Sequence, residues 1–195
     1  MPFPAHILAG FSLGFLHRRE LRQLLDSTPL CRSISELDPK ELQRSGIAAL
    51  VLDFDGVLAH HGARAPVPAA VAWLKQCEAV VGGERMFILS NKPTDGRRDW
   101  FAKNFPAIRF IAGIRKKPFP DGVIKAGELA GVPISSLLMV DDRLLTGCLA
   151  ALVAGARPCY IRCPCVSFTY LPVLELFFRL LRTTERLFVR LVSPF

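Results

Sequence analysis

Apolar residues along this chain fall into two kinds of run. Ile47 to Leu52, Met86 to Leu89 and Leu137 to Val140 are short and unbroken, with no period-two alternation. Runs of this length, rich in Ile, Val and Leu, read as strands buried on both faces. Residues 107–112 and 157–161 add two further short strands. Between the strands lie stretches with helical spacing: 67–80, where Val67, Val71, Trp73, Leu74 and Cys77 recur, then 94–104, 120–131 and 143–154. Thr94 suits an N-cap, and Gly82-Gly83 and Gly155 supply stops. Strand and helix in regular alternation predict a three-layer, doubly wound α/β fold around a parallel sheet. The 34 residues between Asp55 and Ser90 are largely filled by one helix, so no large cap domain is expected.

The two ends depart from this pattern. Residues 1–25 read as an apolar-basic helical arm, with His17, Arg18, Arg19 and Arg22 behind the apolar run Ile7 to Leu16. Asp38 and Pro39 then open a short helix that Gly46 closes, by N-cap and first-turn preference. At the other end, Glu175, Arg179, Arg182, Arg186 and Arg190 follow one another at intervals of 4, 3, 4 and 4. That spacing places them in one stripe of a helix whose remaining positions are mostly Leu, Phe and Val. Such a helix can lie in a lipid interface or dock on protein, and its charges argue against a membrane span. Three segments result: an arm and lead-in helix over 1–46, an α/β core over 47–161 and an amphipathic C-terminal helix over 162–195.

Composition sharpens the reading of the ends. The 195 residues carry a formal net charge of +8 and 51% hydrophobic residues, at a mean hydropathy of +0.32. A basic and apolar chain points toward an anionic lipid surface as partner. No RNP, zinc-finger or helix-turn-helix signature is present, so no nucleic-acid partner is expected. No uninterrupted apolar run reaches the ~18 residues of a transmembrane helix. The N-terminal apolar run lacks a leading basic region and a small-residue cleavage site, so it is not read as a signal peptide. Of six cysteines, Cys159, Cys163 and Cys165 form a Cys-x₃-Cys-x-Cys cluster without a nearby His. That spacing is not a zinc signature, and free thiols in a reducing compartment are the simpler reading.

The candidate chemistry sits at the strand ends. The first strand delivers Asp53 and Asp55, the second Ser90 and Asn91, and the fourth Asp141 and Asp142, while Lys117 follows the third. In a parallel sheet these ends share one edge, where open α/β sheets bind ligands. Closely placed carboxylates repel one another and call for a cation or shared protons. An aspartate can attack phosphorus and a second carboxylate can move the proton. Ser90, Asn91 and Lys117 can hold a phosphate. Each element taken alone also fits a turn, a solvated charge pair or a helix cap. His60 and His61 follow on a flap and fit either head-group contact or an ordinary polar loop.

Together, Asp53-Phe54-Asp55-Gly56-Val57-Leu58, Ser90-Asn91, Lys117-Pro118 and Val140-Asp141-Asp142 resemble the four motifs of the haloacid dehalogenase (HAD) superfamily. Ser33 to Asp38, Gly46-Ile47 and Asp142-Arg143-Leu144-Leu145-Thr146-Gly147 extend the resemblance to subfamily IIIA, including bacterial and mitochondrial phosphatidylglycerophosphate phosphatases. The resemblance implies a HAD-like Rossmannoid fold, with Asp53 as nucleophile and Asp55 as general acid/base. It implies Ser90, Asn91 and Lys117 on the phosphate, and Mg²⁺ held by Asp53, Asp55 and Asp142 with Asp141 beside them. It further implies a phospholipid substrate, dephosphorylated to phosphatidylglycerol by a peripheral enzyme on the cytoplasmic (or mitochondrial matrix) face of the inner membrane. A phosphatase of a soluble phosphomonoester or phosphoprotein, and a non-catalytic HAD-fold protein docking a partner through its C-terminal helix, are the alternatives. Two departures stand out: Gly56-Val57 where relatives tend to carry Asn-Thr, and Gly147 where they tend to carry Asp.

Overall fold

A computed structural model describes residues 5–27, 33–91, 93–112 and 114–193, with side chains from residue 8 onward. Five strands, β1 (Ala49–Leu52), β2 (Met86–Ile88), β3 (Arg109–Phe110), β4 (Leu137–Asp141) and β5 (Arg157–Tyr160), form one sheet in the order β3-β2-β1-β4-β5. All four pairings are parallel, and Leu52 of β1 lies level with Ile88 of β2 and Val140 of β4. The predicted α/β fold is therefore present. β3 is two residues long where six were expected, and its ends are half-buried at the sheet edge.

Side chains of β1 alternate between two cores. Leu50 and Leu52 pack with Trp73, Leu74, Cys77, Phe101 and Phe105 on one face. These come from α4 (Pro68–Val81) and α5 (Asp95–Asn104). Ala49 and Val51 pack with Val123, Ala126, Ala150 and Ala151 on the other, from α6 (Asp121–Ala130) and α7 (Leu149–Ala154). Burial on both faces explains the unbroken apolar runs. One π-helical turn, Leu144–Cys148, precedes α7.

The ends fold onto this core. The N-terminal arm is two helices, α1 (Ala5–Leu16) and α2 (Arg18–Asp26), and a short α3 (Pro39–Arg44) follows. Asp38 caps α3 as expected, accepting from the Lys40 N–H at 2.9 Å. Thr94 takes the N-cap position of α5 without a side-chain cap bond. α8 (Pro172–Val192) joins Leu21 and Leu25 of α2 in a third apolar cluster, through Val189, with Leu144, Leu145, Cys148 and Tyr160.

α8 combines the two arrangements its sequence allows, docking through charged residues and leaving apolar ones outside. Glu175 and Arg182 of its charged stripe are buried against the protein, as is Glu185, while Arg179 and Arg190 stay exposed. Val173, Leu176, Phe177, Leu180, Leu187 and Leu191 are also exposed, as are Leu8, Phe11, Phe15 and Leu16 of α1. Phe11 and Phe188 meet edge to face with centroids 5.1 Å apart, so the two helices are in direct contact. Among the described residues, no helix is long and apolar enough to cross a membrane.

Leu52 has no solvent exposure and sits between β2 and β4 beside the site. Leu52→Ala is expected to cost about 2–5 kcal/mol, read from urea denaturation. A loss below about 1 kcal/mol contradicts the rigid, doubly covered β1 described here.

Candidate active site

β1 and β4 end side by side, which brings three carboxylates into one place. Ligand oxygens of Asp53, Asp141 and Asp142 all lie within 4.8 Å of one another. Lys117 reaches between them, with its Nζ 3.0 Å from Asp53 Oδ1 and 2.6 Å from Asp141 Oδ2. Its ammonium is nearly fully buried. Burial alone would lower its pKa, but Asp141 and Asp53 outweigh that and hold it above the ordinary lysine value. Asn91 Oδ1 accepts from the backbone N–H of Lys117 at 3.1 Å and so fixes the loop that carries it.

Asp53, Asp55, Ser90, Asn91, Lys117 and Asp142 all line one cavity of about 960 Å³. Asp141 lies behind it, fully buried, bonded to Lys117 and to the Arg143 N–H at 2.9 Å. Asp55 is separate from the three-carboxylate group. Both of its oxygens are held by Arg97 of α5, at 2.6 and 2.8 Å. Arg97 also lies over the Phe54 ring, 4.0 Å from its centroid, and donates to the Ala63 carbonyl. Such a bidentate fork fixes both the position and the plane of a carboxylate.

α8 reaches into the same site at three points. Glu175 accepts from the His61 N–H at 3.1 Å, pairs with His61 Nδ1 at 3.0 Å and accepts from the Ser167 N–H at 3.3 Å. Arg182 Nε donates to Asp142 Oδ2 at 2.6 Å. Glu185 holds Arg143 and accepts from the Leu145 N–H at 3.3 Å. His61 stacks on Phe178, with centroids 3.8 Å apart and planes at 11°. Burial lowers its pKa below 6.5 against the opposing pull of Glu175, which favours a neutral ring. The flap is tied down a second time where the Cys165 N–H donates to the Gly56 carbonyl at 2.8 Å.

Two glycines make this crowding possible. Gly56 has φ +84°, and a side chain there would meet Asp142 Oδ2 at 2.3 Å. A side chain at Gly147 would meet Asp141 Oδ2 at 2.0 Å. Asp141 thus fills the space that an Asp at 147 would occupy. Arg97, Arg182, Glu175 and Glu185 were not foreseen as site residues. Arg182 and Glu175 were visible only as members of a charged helical stripe, and Arg97 only as one of two adjacent arginines. The cysteine cluster contributes nothing metal-like: among the described residues, the three aspartates are the sole metal-capable group. Cys159, Cys163 and Cys165 are free thiols, and Cys31 lies outside the described residues.

Fold and strand-end groups together define a class: a HAD-like phosphatase, an enzyme that hydrolyses phosphoric monoesters. Within it, the chain belongs to the mitochondrial PGP phosphatase family, whose model matches residues 22–165. No curated protein matches the chain. A solved structure of an uncharacterized protein from Corynebacterium glutamicum ATCC 13032 Kitasato is similar to it at 20% identity. That similarity spans 69% of this chain and 96% of the other, with a TM-score of 0.47.

The residues present suit a hard divalent cation, which takes oxygen ligands and favours ionised carboxylates. Burial raises the Asp53 pKa to about 8, with Lys117 opposing and the other aspartates adding. Burial raises that of Asp142 to about 7, with Arg182 opposing. Both values lie above 3.8, so the metal-free folded state binds more protons than the unfolded chain between about pH 4 and pH 8. Its stability from these groups is full below about pH 4 and is lost as pH rises through 7 to 8. A bound cation offsets this repulsion. Mg²⁺ is therefore expected to raise Tm over an EDTA control more at pH 8 than at pH 5, by scanning calorimetry. Equal shifts at both pH values would remove the carboxylate group as the metal site.

Proposed function

We propose that this chain is a Mg²⁺-dependent phosphatase that removes the terminal phosphate of phosphatidylglycerophosphate at a membrane surface, giving phosphatidylglycerol. The observation that carries the catalytic part is Asp53, lining the cavity with Lys117 against it and a second carboxylate, Asp55, two residues on. Asp53 attacks phosphorus in line, and the bond to the leaving alcohol oxygen breaks as an aspartyl phosphate forms. Asp55, protonated once one of its bonds to Arg97 opens, gives that proton to the oxygen, then takes one from the water that hydrolyses the acyl phosphate. Arg97 occupies both oxygens of Asp55 in the free protein, so one of those bonds opens first. Ser90, Asn91 and Lys117 hold the phosphate oxygens. Asp53 and Asp142, with Asp141 behind them, would hold Mg²⁺, which supplies charge neutralisation at the transferring group.

The lipid part rests on the family and on the outward faces of α1 and α8. The apolar wall of the cavity, Leu171, Leu174, Phe177 and Phe178, is continuous along α8 with exposed Val173, Leu176 and Leu180. Arg179 and Arg190 are exposed on the same helix. An apolar face flanked by arginines suits an anionic bilayer, into which it inserts without spanning. A lipid held there presents its head group at the cavity mouth while its chains stay on the apolar side. The family name places its members in mitochondria, and a peripheral enzyme on the matrix face of the inner membrane is the corresponding proposal for this chain.

Asp53→Asn is expected to reduce Mg²⁺-dependent phosphate release from phosphatidylglycerophosphate micelles to background while leaving the circular dichroism spectrum unchanged. Wild-type turnover by that variant would falsify the nucleophile assignment. In flotation with phosphatidylglycerol-containing vesicles, the wild-type chain is expected to float. Leu176→Asp with Leu180→Asp is expected to stay behind, since each buried leucine contributes about 1.5–3 kcal/mol. Equal flotation of both proteins removes α8 from the membrane contact.

A further inference from the structure

The cavity carries one more positive charge than the removal of a single phosphate uses. Arg64, Arg97, Lys117 and Arg143 all line it. Three of them are matched by carboxylates: Arg97 by Asp55, Lys117 by Asp53 and Asp141, and Arg143 by Glu185. Arg64, on the flap between β1 and α4, has no carboxylate or hydrogen-bond partner among the described residues and is exposed to solvent. Its position is nonetheless defined. The Arg64 Cδ lies 3.5 Å from where a Gly96 side chain would begin, so its stem rests on the first turn of α5 next to Arg97. The flap itself is held by the buried Glu175, through both the backbone and the ring of His61. An unmatched guanidinium on an anchored loop facing a solvent-open cavity is placed to receive an anion from outside the protein.

The rest of the cavity limits what that anion belongs to. Its volume of about 960 Å³ suits a small molecule or a lipid head group. Leu174, Phe177 and Phe178 form a wall that an acidic peptide or a free polyphosphate would leave unused. A substrate with a terminal phosphomonoester, a second phosphate further along and an apolar tail uses every surface present. We propose that Arg64 binds the second, diester phosphate of the substrate and thereby selects two-phosphate lipids over lipids with a single phosphate. The proposal rests on the phospholipid reading above and adds to it the residue that discriminates among head groups. Arg64 makes the same contact before and after phosphoryl transfer, so it acts on substrate binding and leaves the chemical step alone.

The test uses the full-length chain with Mg²⁺ and three substrates. These are short-chain phosphatidylglycerophosphate, phosphatidic acid with the same acyl chains, and the deacylated glycerophosphoglycerophosphate. Arg64→Gln is expected to raise KM for phosphatidylglycerophosphate roughly tenfold, the scale of one charge-assisted hydrogen-bonded contact, with kcat unchanged. KM for phosphatidic acid is expected to stay as in the wild type. Equal changes for both lipids, or no change for either, overturn the proposal. The deacylated substrate separates this result from the lipid reading. A wild-type enzyme indifferent to the acyl chains, whose two-phosphate preference is lost in Arg64→Gln, keeps Arg64 and discards the lipid. One that requires acyl chains, and whose preference survives Arg64→Gln, keeps the lipid and discards Arg64.

Discussion

Repulsion among three closely placed carboxylates, two of them buried, is the constraint that organises this molecule. Asp53, Asp141 and Asp142 end adjacent parallel strands, where the pairing of β1 with β4 forces them together. Water screens Asp141 and Asp142 poorly at that depth, so the protein brings its own cations. Lys117 answers two of them and Arg182 the third. Arg182 is itself imperfectly satisfied: one of its terminal nitrogens is buried without a hydrogen-bond partner. Removing either cation leaves an uncompensated buried anion, which typically costs about 3–5 kcal/mol. The same concentration of negative charge that is unfavourable in the free fold is the kind of group that could hold a metal ion.

This need for counter-charge explains the orientation of α8. An amphipathic helix on a globular protein ordinarily turns its apolar face inward. Here three charged residues face in instead, because Arg182, Glu185 and Glu175 meet Asp142, Arg143 and His61 beneath the helix. The apolar residues are left on the outside as a consequence. One helix therefore completes the electrostatics of the site and exposes an apolar surface beside its mouth.

Much of this was legible in the residue pattern, for a definite reason. Parallel strands place their C-terminal ends on one edge, so the convergence of Asp53, Ser90, Lys117 and Asp142 followed from β-α-β alternation alone. Apolar runs without alternation correctly indicated strands covered on both sides. The groups that were missed share a different property. Periodicity states which residues share a face of a helix, but not which way that face turns, so Glu175 and Arg182 could not be assigned to the site. Arg97 sits among other charged residues on α5, and only the three-dimensional approach of that helix to Asp55 marks it out. The helical arm read from the sequence is two helices, α1 and α2, divided at His17, and Leu21 and Leu25 of the second reach the α8 cluster.

The two glycine departures from the family pattern become a single structural statement in this light. With Asp141 in motif four, a carboxylate already stands where residue 147 would project, and only glycine leaves room for it. Gly56 serves the neighbouring acid in the same way, since the Asp142 carboxylate occupies the space beside its α-carbon and its φ of +84° suits no β-branched residue. The Asn-to-Gly and Asp-to-Gly exchanges therefore do not thin the site. They leave room for two adjacent aspartates at the end of β4, of which Asp141 is met by Lys117 and Asp142 by Arg182 of α8.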